Sequence, residues 1–187
     1  MRQPKINLNQ QSEYDKEIID ITRVARTVAG GRRFSFRAAV VIGNKQGKIG
    51  LGVAKGKDVA QSINKATKKA EKGMIEVVRS DQTIPIDIIG HFKSARVLLK
   101  PAAKGRGLIA GGVVRSLCAL AGIENISAKI LSKTNNKINI ARASIEAFKK
   151  ISVFQAKMNQ MKSKDKKTDK SVDKKEKKVV KTKTKKD

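Results

Sequence analysis

The sequence predicts an α+β protein in which a β-β-β-α unit is followed by a β-α-β unit and a disordered basic tail. Apolar residues alternate along several short segments, as in strands, and recur every three or four residues in others, as in helices. The composition also changes near Ala156, after which apolar residues become rare. The predicted ranges are an N-terminal extension (1–16), two domains (17–76 and 77–154) and the tail (155–187).

The first unit opens with an extended segment at residues 18–28, followed by a turn. Residues 34–42 begin with apolar-polar alternation and become apolar on both faces, which is typical of a central strand. After a hairpin loop, residues 48–54 alternate again, with Gly50 and Gly52 on one face. Glycines inside a strand indicate a bulge or the close approach of another backbone.

A helix completes the first unit. Asp58 is a suitable N-cap residue, and Gly73 lies near the predicted end. The apolar face of this helix is formed by residues spaced three or four apart: Val59, Ile63, Ala66, Ala70 and Met74.

The second unit has predicted strands at residues 83–88, 95–100 and 126–131. Pro85 limits the first of these strands to a sheet edge or a strand start. One predicted helix runs from about residue 113 to Gly122, since glycine suits the position after a helix. A second predicted helix covers residues 136–151.

The charge of the chain predicts a polyanionic partner. The net charge is +27 over 187 residues, and such a charge opposes compaction unless an anion neutralises it. A membrane surface is the alternative, but the chain has no Trp for an interfacial helix and no apolar run long enough to span a bilayer. A single cysteine and the lack of a secretory pattern in the first residues predict a cytoplasmic location.

The arginines place the specific binding surface in the folded part. Residues 157–187 contain 14 lysines and five acids but no arginine, whereas all 11 arginines lie before residue 143. Arginine provides a planar fork for fixed phosphate contacts, whereas lysine acts as a mobile point charge. The tail, which is too polar to form a core, is therefore expected to add diffuse affinity.

The strongest local signal is a cluster of arginines around Gly30 and Gly31. Five of the 11 arginines lie between residues 23 and 37, and no acid occurs from residue 21 to residue 57. Such a cluster favours bidentate phosphate contacts over the alternative of a solvated strand edge. Phe34 and Phe36 share a strand face and are interpreted as core residues, with base-stacking platforms as the alternative. Because aromatic residues make up only 3% of the chain, the predicted mode is recognition of the shape and backbone of folded RNA.

Catalytic candidates are few. His91 is the only histidine and Cys118 the only cysteine, so neither a metal cage nor a Ser-His-Asp arrangement is predicted, and Cys118 is interpreted as a buried hydrophobe. The glycine-rich loop at residues 105–111 misses a phosphate-cradling motif by one residue. RNA or protein contact, a tight connection and nucleotide binding all remain open for this loop. The rival functions are a small phosphotransferase and a free RNA-binding regulator.

The chain resembles the bacterial ribosomal protein S5 family over about residues 13–151. The resemblance is carried by several strings in order: Arg23-Val24, Thr27-Val28, Gly30-Gly31-Arg32, Phe34-Ser35-Phe36, Gly47-x-x-Gly50-x-Gly52-x-x-Lys55, Lys100-Pro101-Ala102, Gly105-x-Gly107-Leu108-Ile109-Ala110-Gly111-Gly112, Arg115, Ala121-Gly122, Thr134-Asn135-Asn136 and Arg142-Ala143. Ala29 departs from the family, which more commonly has lysine there.

The resemblance implies a double-stranded-RNA-binding-like first domain and a second domain of the S5 domain-2 type. It implies a non-enzymatic constituent of the small ribosomal subunit, without a cofactor, that binds rRNA at the head–body junction near the mRNA entry path and contributes to translational accuracy. Its implied protein partners are ribosomal proteins S4 and S8.

The expected binding residues follow from the arginine cluster and the resemblance together. For RNA they are Arg23, Arg26, Ala29, Gly30, Gly31, Arg32, Arg33, Arg37, Lys45, Lys55, Lys57, Lys104 and Arg106. For a protein interface, on the side towards S4, they are Gly105, Gly107, Gly111, Gly112 and Arg115.

Overall fold

Four antiparallel strands form the first sheet, and they follow one another in chain order. A computed structural model describes residues 14–80 and 82–158 of the chain. The strands are β1 (Asp15–Val28), β2 (Gly31–Gly43), β3 (Lys48–Gly56) and the short β4 (Ile75–Glu76), and α1 (Val59–Lys72) connects β3 to β4. The predicted order of three strands and a helix is confirmed.

Strand β2 is buried on both faces, as its sequence predicts. Ala38, Val40 and Ile42 pack in one cluster with Ala66 and Ala70 of α1. Val41, which points to the opposite face, belongs to a larger cluster that includes Leu117 of the second half of the chain. The two predicted domains therefore share part of one core.

The glycines of β3 allow α1 to pack directly on the sheet. A Cβ atom at Gly50 would overlap the carbonyl oxygen of Ala70, and one at Gly52 would overlap that of Ala66. Because the obstacles are backbone atoms of a helix, they cannot rotate away. The predicted close approach of another backbone is confirmed.

The second sheet has the strand order β5-β6-β8-β7. Its strands are β5 (Ile88–Phe92), β6 (Ala95–Pro101), β7 (Leu108–Ile109) and β8 (Ile126–Ile130), and α2 (Gly112–Ala121) connects the parallel pair β7 and β8. This is the predicted β-α-β unit, although β7 falls within a segment interpreted as loop.

The predicted strand at residues 83–88 is wrong, because the regular strand starts only at Ile88. The residues before it form an irregular segment that hydrogen bonds hold in place. The carbonyl of Gln82 accepts hydrogen bonds from the amides of Glu124 and Asn125, and the hydroxyl of Thr83 accepts one from the amide of Ala102. Pro85 has no N–H group to contribute to a ladder.

A third helix, α3, begins at residue 137 and is still helical at residue 158, beyond the predicted end at residue 151. The side chain of Asn136 caps its start by accepting bonds from the amides of Ile138 and Asn139. Phe148 is fully buried, as predicted for its apolar face. None of the helices in the described part is long and apolar enough to cross a membrane.

The end of α2 is attached to the β2–β3 loop. Gly122 has a left-handed backbone, as predicted for the residue after a helix, and a Cβ there would overlap the carbonyl oxygen of Lys45. The Lys45 amide donates to the carbonyl of Leu120 at 2.9 Å, and Arg79 donates to that of Gly122 at 3.0 Å. These bonds fix the two sheets relative to each other.

Cys118 of α2 is fully buried, as predicted for a small hydrophobe. Burial raises the pKa of its thiol to about 12. Because the thiolate is the reactive form, this cysteine is protected from alkylation while the protein is folded.

Candidate nucleic-acid interface

The far ends of β1 and β2 form a two-stranded ribbon. Strand β3 pairs with β2 only as far as Phe36, whereas β1 and β2 stay paired up to Val28 and Gly31. The connecting turn at Ala29 and Gly30 is exposed, and no side chain or backbone lies within 4 Å of a Cβ built on Gly30. The turn can therefore approach a large ligand closely.

The strand register distributes the five arginines over both faces of the ribbon. Arg26 lies directly opposite Arg33, and Arg37 opposite Thr22, on one face. Arg23 and Arg32 lie on the other face, because their positions alternate with these along the strands. Like charges placed directly opposite each other destabilise a sheet. An anion bound between Arg26 and Arg33 would relieve their repulsion.

These arginines have no carboxylate partner among the described residues. The four ion pairs there are all made by lysines: Lys45–Asp15, Lys100–Asp87, Lys137–Asp20 and Lys149–Glu146. Arg37 donates to the hydroxyl of Thr22, and the guanidinium of Arg23 lies over the ring of Phe34. The cationic surface of the ribbon is therefore left for an external anion.

Phe34 is not a core residue, so its interpretation as core is wrong. Its side chain is 51% exposed, whereas Phe36 is half-buried. Phe34 lies two residues beyond the last β2–β3 pair, where no third strand flanks β2. The guanidinium carbon of Arg23 lies 3.6 Å from the centre of its ring, as in a cation–π contact.

A basic groove lies where β3 ends and α1 begins. It has a volume of about 400 Å³ and is lined by Ser35, Lys55, Gly56, Lys57, Gln61 and Lys65. The side-chain oxygen of Gln61 accepts a bond from the amide of Lys57, which fixes the connection into the helix. A Cβ at Gly56 would lie 2.7 Å from the amide nitrogen of Ser62, so the backbone here is tightly packed.

Gln61 and Lys65 are part of this groove but absent from the residues expected from sequence. They are four residues apart on α1 and therefore share a helix face. The helix start at Asp58, which the sequence does predict, could have been used to place them beside Lys57.

The glycine-rich loop after β6 is held by one buried side chain. The Oδ1 atom of Asn125 accepts bonds from the amides of Gly105 at 3.1 Å and Gly107 at 3.0 Å, and its Nδ2 atom donates to Gln82. Both glycines have a left-handed backbone. Because these two amides already have a partner, they are not free to cradle a phosphate.

Comparison with known proteins decides the family. Residues 14–78 match the protein family described as "Ribosomal protein S5, N-terminal domain". Residues 90–162 match the family described as "Ribosomal protein S5, C-terminal domain". Over 142 residues the chain is 46% identical to "Small ribosomal subunit protein uS5" of Thermotoga neapolitana, and 43% and 44% identical to the proteins of that name from Thermotoga maritima and Thermotoga petrophila. Each alignment covers 76% of this chain and 79% of the relative.

The chain belongs to the ribosomal protein S5 family. Members of this family are structural, non-enzymatic proteins of the cytoplasmic small ribosomal subunit. The interpretation of the chain as a structural ribosomal protein and not an enzyme is thereby confirmed, which removes the phosphotransferase alternative. The match to the C-terminal domain continues to residue 162, past the end of the resemblance seen in the sequence.

Not every basic residue expected in the S5-type RNA site lies on the ribbon or in the groove. Lys45 pairs with Asp15 at 2.6 Å, and its backbone belongs to the joint with α2. Lys104 and Arg106 are exposed on the glycine-rich loop of the second sheet. His91 is also exposed, opposite Arg96 on β6.

The expected protein-interface residues of the S5 family lie around the start of α2. Gly111, Gly112 and Arg115 are exposed there. Gly112 and the partly exposed Ile18 and Ile19 of β1 line a groove of about 390 Å³. Backbone and apolar side chains are thus accessible together at this point.

Replacing Asn125 by alanine should lower the free energy of unfolding by about 2 kcal/mol, since two loop amides lose their acceptor. Denaturant unfolding measures this loss, and hydrogen exchange at Gly105 and Gly107 should accelerate. Asn64→Ala, on the exposed face of α1, is the matched control and should be neutral. Unchanged exchange at both glycines would show that Asn125 does not hold the loop.

Proposed function

We propose that this chain binds small-subunit rRNA at the junction of head and body, near the mRNA entry path, and contributes to translational accuracy. In this proposal residues 17–76 form the rRNA-binding domain, and residues 77–154 add contacts to neighbouring proteins. Residues 155–187 form a separate lysine-rich tail, nearly all of which lies outside the described residues.

The observation that carries the proposal is the set of arginines on the β1–β2 ribbon that lack a carboxylate partner in the described part of the chain. Phosphate, like carboxylate, is an anion that arginine binds bidentately and at close range. The exposed turn at Gly30 and Gly31 lets the protein backbone approach the RNA that these arginines bind.

The lysine groove supports a second line of phosphate contacts. Lys55, Lys57 and Lys65 converge there beside the half-buried Ser35, and Ser35 belongs to β2 of the same ribbon. Three ammonium groups around a shallow groove suit a backbone that is read by its shape and charge and not by its sequence. Ribbon and groove together fit a folded RNA that presents two backbone segments.

The proposed protein contacts are with S4 and S8. Ile18, which is 46% exposed, lines the groove beside Gly112. Because Gly112 has no side chain, its backbone is accessible there as well. Such a combination of apolar surface and accessible backbone suits a protein neighbour better than RNA. The glycine-rich loop, which Asn125 holds, lies at the start of the same β7–α2 segment.

The test is binding of the full chain to small-subunit rRNA and to random duplex RNA at about 200 mM salt, where non-specific phosphate contacts are weakened. The proposal expects tight, stoichiometric binding to the rRNA only, and retention on small subunits through a high-salt wash. Equal affinity for both RNAs would refute specific recognition. A large pool of protein away from ribosomes would favour a free regulator.

Deleting residues 159–187 should leave incorporation into small subunits largely intact, because the arginine ribbon and lysine groove remain. The deletion should reduce affinity for any RNA by a similar factor, since the tail contributes mobile charge. Sedimentation of the truncated chain with small subunits measures incorporation. Failure of the truncated chain to assemble would give the tail an essential role.

A further inference from the structure

Recognition of the RNA backbone does not explain why Phe34 is exposed. A phosphate gains nothing from an aromatic ring, and the described core does not use this side chain, which is 51% exposed. Yet the ring is in contact with Arg23, whose guanidinium carbon lies 3.6 Å from its centre. An aromatic ring and a guanidinium plane are the two protein surfaces on which unstacked bases stack.

The surroundings of Phe34 also suit a nucleotide. Arg32 lies on the same face of the ribbon, in the row next to Phe34 and Ala25. Ala25 is small and exposed, so the register leaves room beside the ring. A cation two residues along the strand is positioned to contact the phosphate of a base that stacks at Phe34.

We propose that Arg23 and Phe34 form a stacking platform for one unpaired base of the bound RNA. The inference rests on the proposed rRNA binding and refines it: the groove and the arginines hold backbone, and the platform selects a nucleotide outside a duplex. Aromatic–base stacking does not depend on counterion release, so its contribution is independent of salt.

The chain has no tryptophan, so Phe34→Trp introduces a single fluorescent reporter into the full-length protein. A stacked base quenches indole emission, and addition of small-subunit rRNA should therefore lower the fluorescence substantially. Ile89→Trp, which places the reporter at an exposed position of β5 in the second sheet, is the matched control and should change little. Equal responses of the two variants, or a blue-shifted increase at position 34, would overturn the platform.

Affinity provides the second readout. Phe34→Ala should weaken rRNA binding on the order of tenfold by the same factor at low and high salt, whereas Phe34→Tyr should bind as the wild type does. Phe34→Leu keeps an apolar side chain without a ring and should behave like Phe34→Ala; wild-type affinity of this variant would refute stacking. If the wild-type chain itself fails to bind rRNA, the proposed function falls, whereas normal binding without a Phe34 effect removes only the platform.

Discussion

Replacing Gly52 by alanine should destabilise the protein by about 3 kcal/mol or prevent its folding. The added Cβ would overlap the carbonyl oxygen of Ala66 and lie 2.7 Å from the amide nitrogen of Ala70. Relief requires α1 to move off the sheet, which would open the cluster of Ala38, Val40 and Ile42. Denaturant unfolding gives the free energy, and alkylation of Cys118 reports global opening, because its thiol reacts only when exposed.

Gly112→Ala is the control for this substitution. No atom lies within 4 Å of a Cβ at Gly112, which is the first residue of α2, and alanine favours a helix. The control should therefore be as stable as the wild type or slightly more stable. If Gly52→Ala unfolds at the same denaturant concentration as Gly112→Ala, the tight packing of α1 on β3 is not a requirement of the fold.

Replacing both Arg32 and Arg33 by alanine should weaken binding to small-subunit rRNA roughly 10- to 100-fold, as expected for two charge-assisted contacts. The slope of log affinity against log salt concentration should decrease in magnitude by about the contribution of two phosphate contacts. The free protein should lose no stability, because the substitution removes the repulsion between Arg26 and Arg33. A salt-titrated binding assay and thermal unfolding measure the two effects separately.

The matched control replaces two tail lysines, Lys185 and Lys186, by alanine, which removes the same charge from a segment without arginine. This variant should lose clearly less affinity than the Arg32 and Arg33 variant. Equal losses from both pairs of substitutions would mean that the ribbon acts only through its net charge, and the specific site would have to be abandoned.

The parts of the fold that the sequence predicts are those with local signals. Strand β2 is identified by its change from alternation to continuous apolar residues, and α1 by its spacing and by the residues at its ends. Gly50 and Gly52 indicate the approach of a backbone, although not which one. Strand β7 could not be predicted, since its two residues are extended only because they pair with β8 across α2.

For the candidate site, too, the sequence predicts the features with a local signal and not those that depend on strand pairing. The arginine cluster can be read directly from the sequence, but the exposure of Phe34 depends on where β3 stops pairing, which alternation in β2 does not encode. Lys45 is among the residues expected to contact RNA, and the sequence alone does not show that a carboxylate lies beside it. Its partner Asp15 is placed beside it only by the β1–β2 register, in which Asp15 pairs with Gly43.

The two-sided burial of β2 has a consequence for synthesis of the chain. Val41 and Ile49 enter a core whose other members, such as Leu117 and Phe148, are translated much later. The nascent first sheet can pack α1 on one side as soon as α1 is made, but its other side stays bare until α2 has emerged. During that interval the growing polypeptide exposes an apolar sheet face, and transiently exposed apolar surface of this kind makes incompletely folded chains prone to aggregation.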